Sequence, residues 1–147
     1  MDTLWLDRYI EAWLEHPQAG GVGGEDALHA LLGFMSEDVR YEDVPTGAVF
    51  MGHDGIRQMG AGALAMSADM SFDIGQRVAG PDSYAFETVC HGTNTGAIGP
   101  LPGTGGPFAF RGISIGAVSA GLVTSQRDYW DLAGLLGHLG TAPPSPA

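Results

Sequence analysis

The sequence predicts an α+β fold in which N-terminal helices pack on one face of an antiparallel sheet built from the second half of the chain. Near the N-terminus, apolar residues recur at every third or fourth position, as on one face of a helix. After Ser67 they alternate with other residues, as in strands, and short turns link these segments into hairpins. The 147 residues fit one domain, which we place at residues 1–140, before a disordered proline-rich tail at residues 141–147.

Three helices and one short strand are predicted before Ser67. The helices are expected at residues 3–15, 25–34 and about 55–67, and the strand at residues 39–44. The apolar stripe of the first helix consists of Leu6, Tyr9, Ile10, Trp13 and Leu14. His16-Pro17 ends this helix, and residues 18–24 form a glycine-rich connector. Pro45 stops the strand, and Asp54 is the expected N-cap of the third helix.

Four strands and a final helix are predicted after Ser67, at residues 70–79, 83–95, 108–118, 122–131 and 132–139. A loop rich in glycine and proline, residues 96–107, separates the second strand from the third. Because side chains alternate between the faces of a strand, Gln126, Asp128 and Trp130 share one face, which we assign to the interior. The opposite face mixes charged and apolar side chains and predicts a homodimer interface; it carries Glu87, Val89, Arg111, Ile113, Val123, Arg127, Tyr129 and Asp131.

The charge of the chain argues against nucleic acid and membranes as partners. Its net charge is −11, and the basic residues are six arginines and no lysine. Such a surface repels phosphate backbones and anionic lipids. A single cysteine, Cys90, and an N-terminus without the basic start of a signal peptide are typical of a cytoplasmic protein. No apolar run reaches the length of a membrane span.

Four polar residues are candidates for chemistry. Asp128 lies between an amide and a tryptophan on the inward face, where desolvation raises the pKa of a carboxylate and makes it a useful base. Tyr9 lies on the buried stripe of the first helix, where a phenol can stabilise an oxyanion. Asp43 is a possible second carboxylate, and Tyr41 could position Asp128. The alternatives are structural: a carboxylate held in place for Asp128, a turn cap for Asp43 and a satisfied core hydroxyl for Tyr9.

A hydrophobic small molecule is the expected ligand. The residues expected to line its pocket are Trp13, Met59, Phe86, Thr88, Cys90, Phe108, Phe110, Ser114, Gln126 and Trp130. The histidines lack the spacing of metal ligands, so we expect no metal. The glycine-rich loop lacks the lysine and following helix of a phosphate loop, and no Gly-x-Ser-x-Gly nucleophile motif is present.

Four segments together resemble the SnoaL-like branch of the NTF2-like superfamily over roughly residues 3–140. They are Tyr41-Glu42-Asp43-Val44-Pro45, Gly52-His53-Asp54-Gly55-Ile56-Arg57, residues 92–96 with 99–105, and Arg127-Asp128-Tyr129-Trp130-Asp131-Leu132. The resemblance implies a cone in which a curved antiparallel sheet wraps around the N-terminal helices. It also implies ring closure by intramolecular aldol chemistry without metal or organic cofactor, with an aspartate of the last strand, matched by Asp128, as acid and base.

Two enzyme families of the same superfamily are also similar to parts of the chain. Ketosteroid isomerases have an Arg-Tyr pair that resembles Arg8-Tyr9, with the tyrosine in the oxyanion hole, and a Glu-Asp pair that resembles Glu42-Asp43, with the aspartate as base. Their second oxyanion acid aligns with Ser114.

Limonene-epoxide hydrolases resemble Arg127-Asp128-Tyr129 and Tyr41. They activate water with an Asp-Arg-Asp triad, and Thr88 and Cys90 stand here at the positions of its arginine and second aspartate.

The resemblance therefore predicts a cofactor-free acid/base enzyme that cyclises or isomerises a hydrophobic polycyclic carbonyl substrate of polyketide type. An epoxide hydrolase or epoxide-opening cyclase is one alternative. A non-catalytic domain that binds a small molecule is another, because a fold does not fix a function.

Overall fold

The structure, a computed structural model, describes residues 2–15, 24–97 and 102–140. Its helices are α1 (Thr3–Glu15), α2 (Gly24–Leu32), α3 (Gly52–Met66) and α4 (Leu132–His138). Its strands are β1 (Met35–Asp43), β2 (Ala48–Met51), β3 (Ser71–Ala79), β4 (Ser83–Thr93), β5 (Pro107–Ser119) and β6 (Leu122–Trp130). The predicted helix end at His16-Pro17, most of the predicted connector, part of the predicted loop and the predicted tail lie outside the described residues.

The six strands form one sheet in the order β2-β1-β6-β5-β4-β3. The hairpin-linked strands β3 to β6 are antiparallel neighbours, as the alternating pattern predicts. The α+β class with a mostly antiparallel sheet is confirmed, and the exception is β1, which pairs with β6 in parallel. Alternation marks the two faces of a strand and carries no information on the direction of a partner distant in the chain.

A bulge corrects the predicted face of Val123. Ala117 pairs with Ser125 and Val118 pairs with Val123, so Thr124 is an extra residue in β6. An extra residue reverses the alternation beyond it. Val123 is therefore completely buried in the core and does not belong to the outer face. Gln126, Asp128 and Trp130, on the other side of the bulge, keep the predicted inward face, where Gln126 is also completely buried.

Two local features also differ from the prediction. The strand β2, which pairs with β1, was not predicted. The helix α3 starts at Gly52 with Met51 as its N-cap, and no side chain makes a capping hydrogen bond. Asp54 lies in the first turn instead of capping the helix. Its negative charge there faces the positive end of the helix dipole.

The apolar stripe of α1 supplies much of the core. Leu6, Tyr9, Ile10 and Trp13 are at most 2% exposed and pack with residues of α2, β1 and β4. A second apolar cluster lies under α4, whose N-cap Asp131 accepts a hydrogen bond from the Gly134 amide at 2.8 Å.

The opposite face of the sheet exposes Ile113, Ile115 and Tyr129. The homodimer remains a prediction, for which these side chains provide apolar surface. None of the helices in the described ranges combines the length and the apolar character that a bilayer crossing requires.

Candidate active site

A cavity of about 360 Å³ opens on the inward face of the sheet. This volume is within the range of small-molecule sites. The cavity wall is mostly apolar, and β1, β4, β5 and β6 add a few polar side chains. The sequence-predicted residues that line it are Trp13, Tyr41, Asp43, Met59, Thr88, Phe110, Ser114, Asp128 and Trp130. Inward-facing side chains of β4, β5 and β6 and a residue of the apolar stripe of α1 therefore line the same cavity.

The other predicted site residues lie behind the cavity wall. Tyr9 and Gln126 are completely buried in a layer beneath Asp128. Phe86 packs against Trp13 in the main core, with ring centroids 5.6 Å apart. Cys90 and Phe108 belong to the cluster under α4. Burial raises the pKa of the Cys90 thiol to about 12. These side chains therefore point inward without contacting the hollow.

Several residues of the site were missed by sequence reasoning. Phe50 of β2 and Phe72 of β3 line the cavity, and Thr46 lies in the turn before β2. Phe50 could not be found because its strand was not predicted. Tyr84, which lies beneath the cavity wall, carried a signal, since it precedes Phe86 by two residues and therefore shares its inward face.

Asp128 is held by donors from three strands. The Tyr41 hydroxyl on β1 donates a short hydrogen bond to its Oδ2. The Ser114 hydroxyl on β5 donates to Oδ1 at 2.7 Å, and the Gln126 amide nitrogen on β6 donates to the same oxygen at 2.9 Å. Ser114 and Asp128 are directly opposed in the sheet, so the strand register itself sets this contact. The carboxylate is fixed at the cavity wall, and Oδ2 accepts a single hydrogen bond from the described residues.

Burial raises the pKa of Asp128 from 3.8 to about 6. Desolvation of the carboxylate is the largest cause, and the charge of Asp43 adds to it. The hydrogen bonds from Tyr41, Ser114 and Gln126 act in the opposite direction, because they stabilise the charged form. A carboxylate balanced in this way is mostly ionised at neutral pH and yet is a much stronger base than a surface aspartate.

Asp43 is held differently. The Trp130 indole nitrogen donates to its Oδ1, and the Thr46 hydroxyl donates to its Oδ2 at 2.7 Å. The Gly47 amide also donates to its backbone oxygen at 2.9 Å, which closes the turn after β1. Asp43 thus lines the cavity and also organises a turn, and its role as a second catalytic carboxylate remains a prediction.

No group of three or more His, Cys, Asp or Glu side chains that could hold a metal ion occurs in residues 2–15, 24–97 and 102–140. What the described cavity offers is one basic carboxylate, a second carboxylate, hydroxyl groups and an aromatic wall. Such a set can accept and return a proton on a bound apolar molecule.

Comparison with known proteins gives a family and a fold. The sequence model of SnoaL-like polyketide cyclases matches residues 6–139. The structure is similar to TsrD from Streptomyces laurentii, with a TM-score of 0.80 and 24% identity over 95% of this chain and 98% of that chain. It is also similar to a protein with a ketosteroid isomerase-like fold from Catenulispora acidiphila in complex with trimethylamine, with a TM-score of 0.72 and 24% identity over 94% and 97% of the two chains.

A third structure similar to this chain is IdmH, a proposed polyketide cyclase from Streptomyces antibioticus. The TM-score is 0.69, with 18% identity over 91% of this chain and 99% of that chain. Among curated protein sequences, none is significantly similar to the chain. At these identities the solved structures show the shared cone-shaped fold, and the match of the family model covers nearly the whole chain.

Proposed function

Because the chain belongs to the SnoaL-like polyketide cyclase family, we propose that it is a cofactor-free acid/base enzyme that closes a ring in, or isomerises, a hydrophobic polycyclic carbonyl compound of polyketide type. One observation carries the proposal: Asp128 combines a place on the wall of an apolar cavity with a pKa raised to about 6. A base of this strength accepts a proton more readily than an ordinary aspartate and still releases it near neutral pH.

In the proposed reaction, Asp128 Oδ2 accepts a proton from the carbon next to a substrate carbonyl, and the electron pair of that C–H bond forms an enolate. The enolate carbon attacks a second carbonyl of the same molecule, which forms the new C–C bond and an alkoxide. Asp128 returns its proton to the alkoxide, so no other reactant is needed. For isomerisation, the proton returns to a different carbon.

The other cavity residues have supporting roles in this proposal. Thr88 of β4, on the cavity wall, offers a hydroxyl to a substrate oxygen. Trp13, Phe110 and Trp130 provide flat apolar surface for a polycyclic ring system. Tyr9 does not line the cavity, so its hydroxyl cannot contact the enolate directly, and it acts through the layer beneath Asp128.

Epoxide hydrolysis is less well supported by the same residues. Thr88 and Cys90 stand where the related hydrolases have the arginine and second aspartate of their triad, and Cys90 is completely buried. If an epoxide were the substrate, ¹⁸O from labelled water in the product would identify hydrolysis, and its absence would identify opening by an internal nucleophile.

The proposal is tested with aromatic polyketide-type probes that carry a β-ketoester and a pendant carbonyl group. In D₂O, NMR follows exchange of the α-proton, and chromatography follows the cyclised product. Asp128→Asn should lower both rates by about 10²–10⁴-fold, the usual contribution of a general base. Asp73→Asn, an exposed strand aspartate paired with His91, is the matched control and should keep the wild-type rates. Wild-type rates in folded Asp128→Asn would contradict the proposed role of Asp128, and a wild-type protein that binds the probes without exchange or cyclisation would favour a binding domain.

A further inference from the structure

Beneath the cavity wall, the side chain of Gln126 contacts four polar groups and is completely buried. It lies on β6, two residues before Asp128 and on the same face of that strand. We propose that Gln126 is a positioning residue, which Tyr9 and Tyr84 hold in one orientation so that the Tyr41 hydroxyl donates its proton to Asp128 and to no other group. The inference rests on the proposed role of Asp128 as base and identifies what sets the strength of that base.

The two phenols determine which way the amide of Gln126 points. The hydroxyls of Tyr9 and Tyr84 each lie 2.6 Å from the same atom, Gln126 Oε1. Burial raises the pKa of both phenols, so both keep their protons and can donate them. Both hydroxyls donate to this atom, so it is an acceptor, the carbonyl oxygen of the amide. The amide nitrogen must therefore face the opposite way.

The orientation of the amide then determines the orientation of Tyr41. The Gln126 nitrogen donates to the Tyr41 oxygen at 2.8 Å and to Asp128 Oδ1 at 2.9 Å. The indole nitrogen of Trp13 also donates to the Tyr41 oxygen, at 3.3 Å. With two donors on its oxygen, Tyr41 has its own hydrogen left to donate, and the acceptor beside it is Asp128 Oδ2. The hydrogen bonds of this layer therefore all run in the same sense, with donors on the side of Tyr9 and Tyr84 and the final acceptor at the Asp128 carboxylate.

The opposite orientation of the amide would weaken Asp128 as an ionised base. A carbonyl oxygen in place of the nitrogen would face the carboxylate and compete for the Tyr41 proton. Asp128 would lose one donor directly and share a second, and both losses disfavour its charged form. The titratable groups that face Asp128 are Tyr41 and Asp43 on β1, with Tyr9 on α1 and Tyr84 on β4 in the layer behind. Of these groups, Tyr9 and Tyr84 influence Asp128 through Gln126.

The backbone beside this layer leaves room for Tyr84. Gly116 on β5 lies directly opposite Gln126, and a Cβ atom added at this glycine would overlap the Tyr84 hydroxyl. The absence of a side chain here allows the phenol to approach Gln126. A larger residue at position 116 would push the Tyr84 phenol away from Gln126 Oε1. Glycine at this position therefore permits the hydrogen bond between Tyr84 and Gln126.

The test measures the pKa of Asp128 directly, by ¹³C NMR titration of the labelled carboxyl carbon, and needs no substrate. In Tyr9→Phe/Tyr84→Phe the rings remain and both anchoring hydroxyls are lost. We expect the pKa of Asp128 to rise by about 1 pH unit, although neither phenol hydrogen-bonds to it. Gln126→Met, which removes the amide itself, should raise it by at least as much. Tyr129→Phe, which removes the exposed phenol of the same strand, should leave it unchanged.

The result that overturns the proposal is an unchanged Asp128 pKa in the folded double variant, since a purely structural glutamine would allow this. If the double variant lacks the dispersed NMR spectrum of a folded protein, the single variant Tyr84→Phe decides the question, with an expected rise of about half a unit. The outcome is independent of the proposed function. A pKa shift together with a fully active Asp128→Asn enzyme would keep the positioning role and reject the chemistry, and the reverse pattern would reject only the positioning role.

Discussion

Asp43 and Asp128 lie directly opposite each other on neighbouring strands, yet their surroundings differ. Asp128 takes its hydrogen bonds from Tyr41, Ser114 and Gln126, all of which are buried. Asp43 takes one of its two side-chain hydrogen bonds from Thr46, which is exposed in a turn. On β6, one strand nearer the middle of the sheet, burial raises the pKa of the Asp128 carboxylate. The comparison shows that burial raises the pKa of Asp128 even though its three donors act in the opposite direction.

The largest expected consequence of this difference is in the pH dependence of stability. The folded-state pKa of Asp128 is about 6, whereas an unfolded aspartate has a pKa of about 3.9. The folded state therefore binds this proton more tightly than the unfolded state between those two values. It follows that the contribution of Asp128 to the free energy of unfolding is greatest below about pH 4, falls as the pH rises to about 6, and stays low above that.

Asn at position 128 cannot titrate, so comparison with the variant isolates this contribution. Between about pH 4 and pH 8, the free energy of unfolding of the wild type should fall by about 2 kcal/mol more than that of Asp128→Asn. Urea denaturation at low protein concentration measures both. The exposed Asp73→Asn variant should follow the wild-type curve. Parallel curves for wild type and Asp128→Asn would mean that burial does not raise the pKa of Asp128.

A smaller effect is expected when the donor on Oδ2 is removed. Tyr41→Phe keeps the ring on β1 and deletes the hydrogen bond to Asp128, so burial of the carboxylate is opposed by one donor fewer. The acid limb of the pH–rate profile for α-proton exchange should shift upward by about 1 pH unit. Ser114→Ala removes a donor of the other carboxylate oxygen and should shift the limb in the same direction. If the acid limb stays in place in both variants, ionisation of Asp128 does not control the exchange rate.

The two aspartates also show how much of the site could be predicted from the sequence. Alternation placed Gln126, Asp128 and Trp130 on one inward face, and the stripe of α1 placed Tyr9 and Trp13 in the core, so both halves of the site could be predicted. Those signals are local, with periods of two and about four residues.

What could not be predicted depends on contacts between distant parts of the chain. The parallel pairing that brings Asp43 beside Asp128 joins strands separated by four others in the sequence. The bulge at Thr124 depends on the partner strand, and without it Val123 has the pattern of an outward residue. The role of Gln126 depends on Tyr84, which reaches it from a third strand. The sequence could therefore predict which side chains point inward. Which of them line the cavity and which are buried beneath it depends on the pairing of distant strands, which local patterns do not reveal.

The smallest expected effect, and the one that separates the two carboxylates most sharply, follows from neutralising Asp43. Asn at position 43 can still accept a hydrogen bond from Trp130, but it no longer places a negative charge near Asp128. Since that charge raises the pKa of Asp128, the Asp43→Asn variant should lower this pKa by less than about one unit, opposite in sign to Tyr41→Phe.

The control is Glu42→Gln, which removes a charge from the same strand that is already paired with Arg40, so it should shift the pKa of Asp128 less. Carboxyl ¹³C titration at low and high salt checks this, because salt screens the interaction of charges that water can reach. A rise, or a fall equal to that of Glu42→Gln, would show that Asp43 acts on Asp128 through the turn and Trp130 and not through its charge.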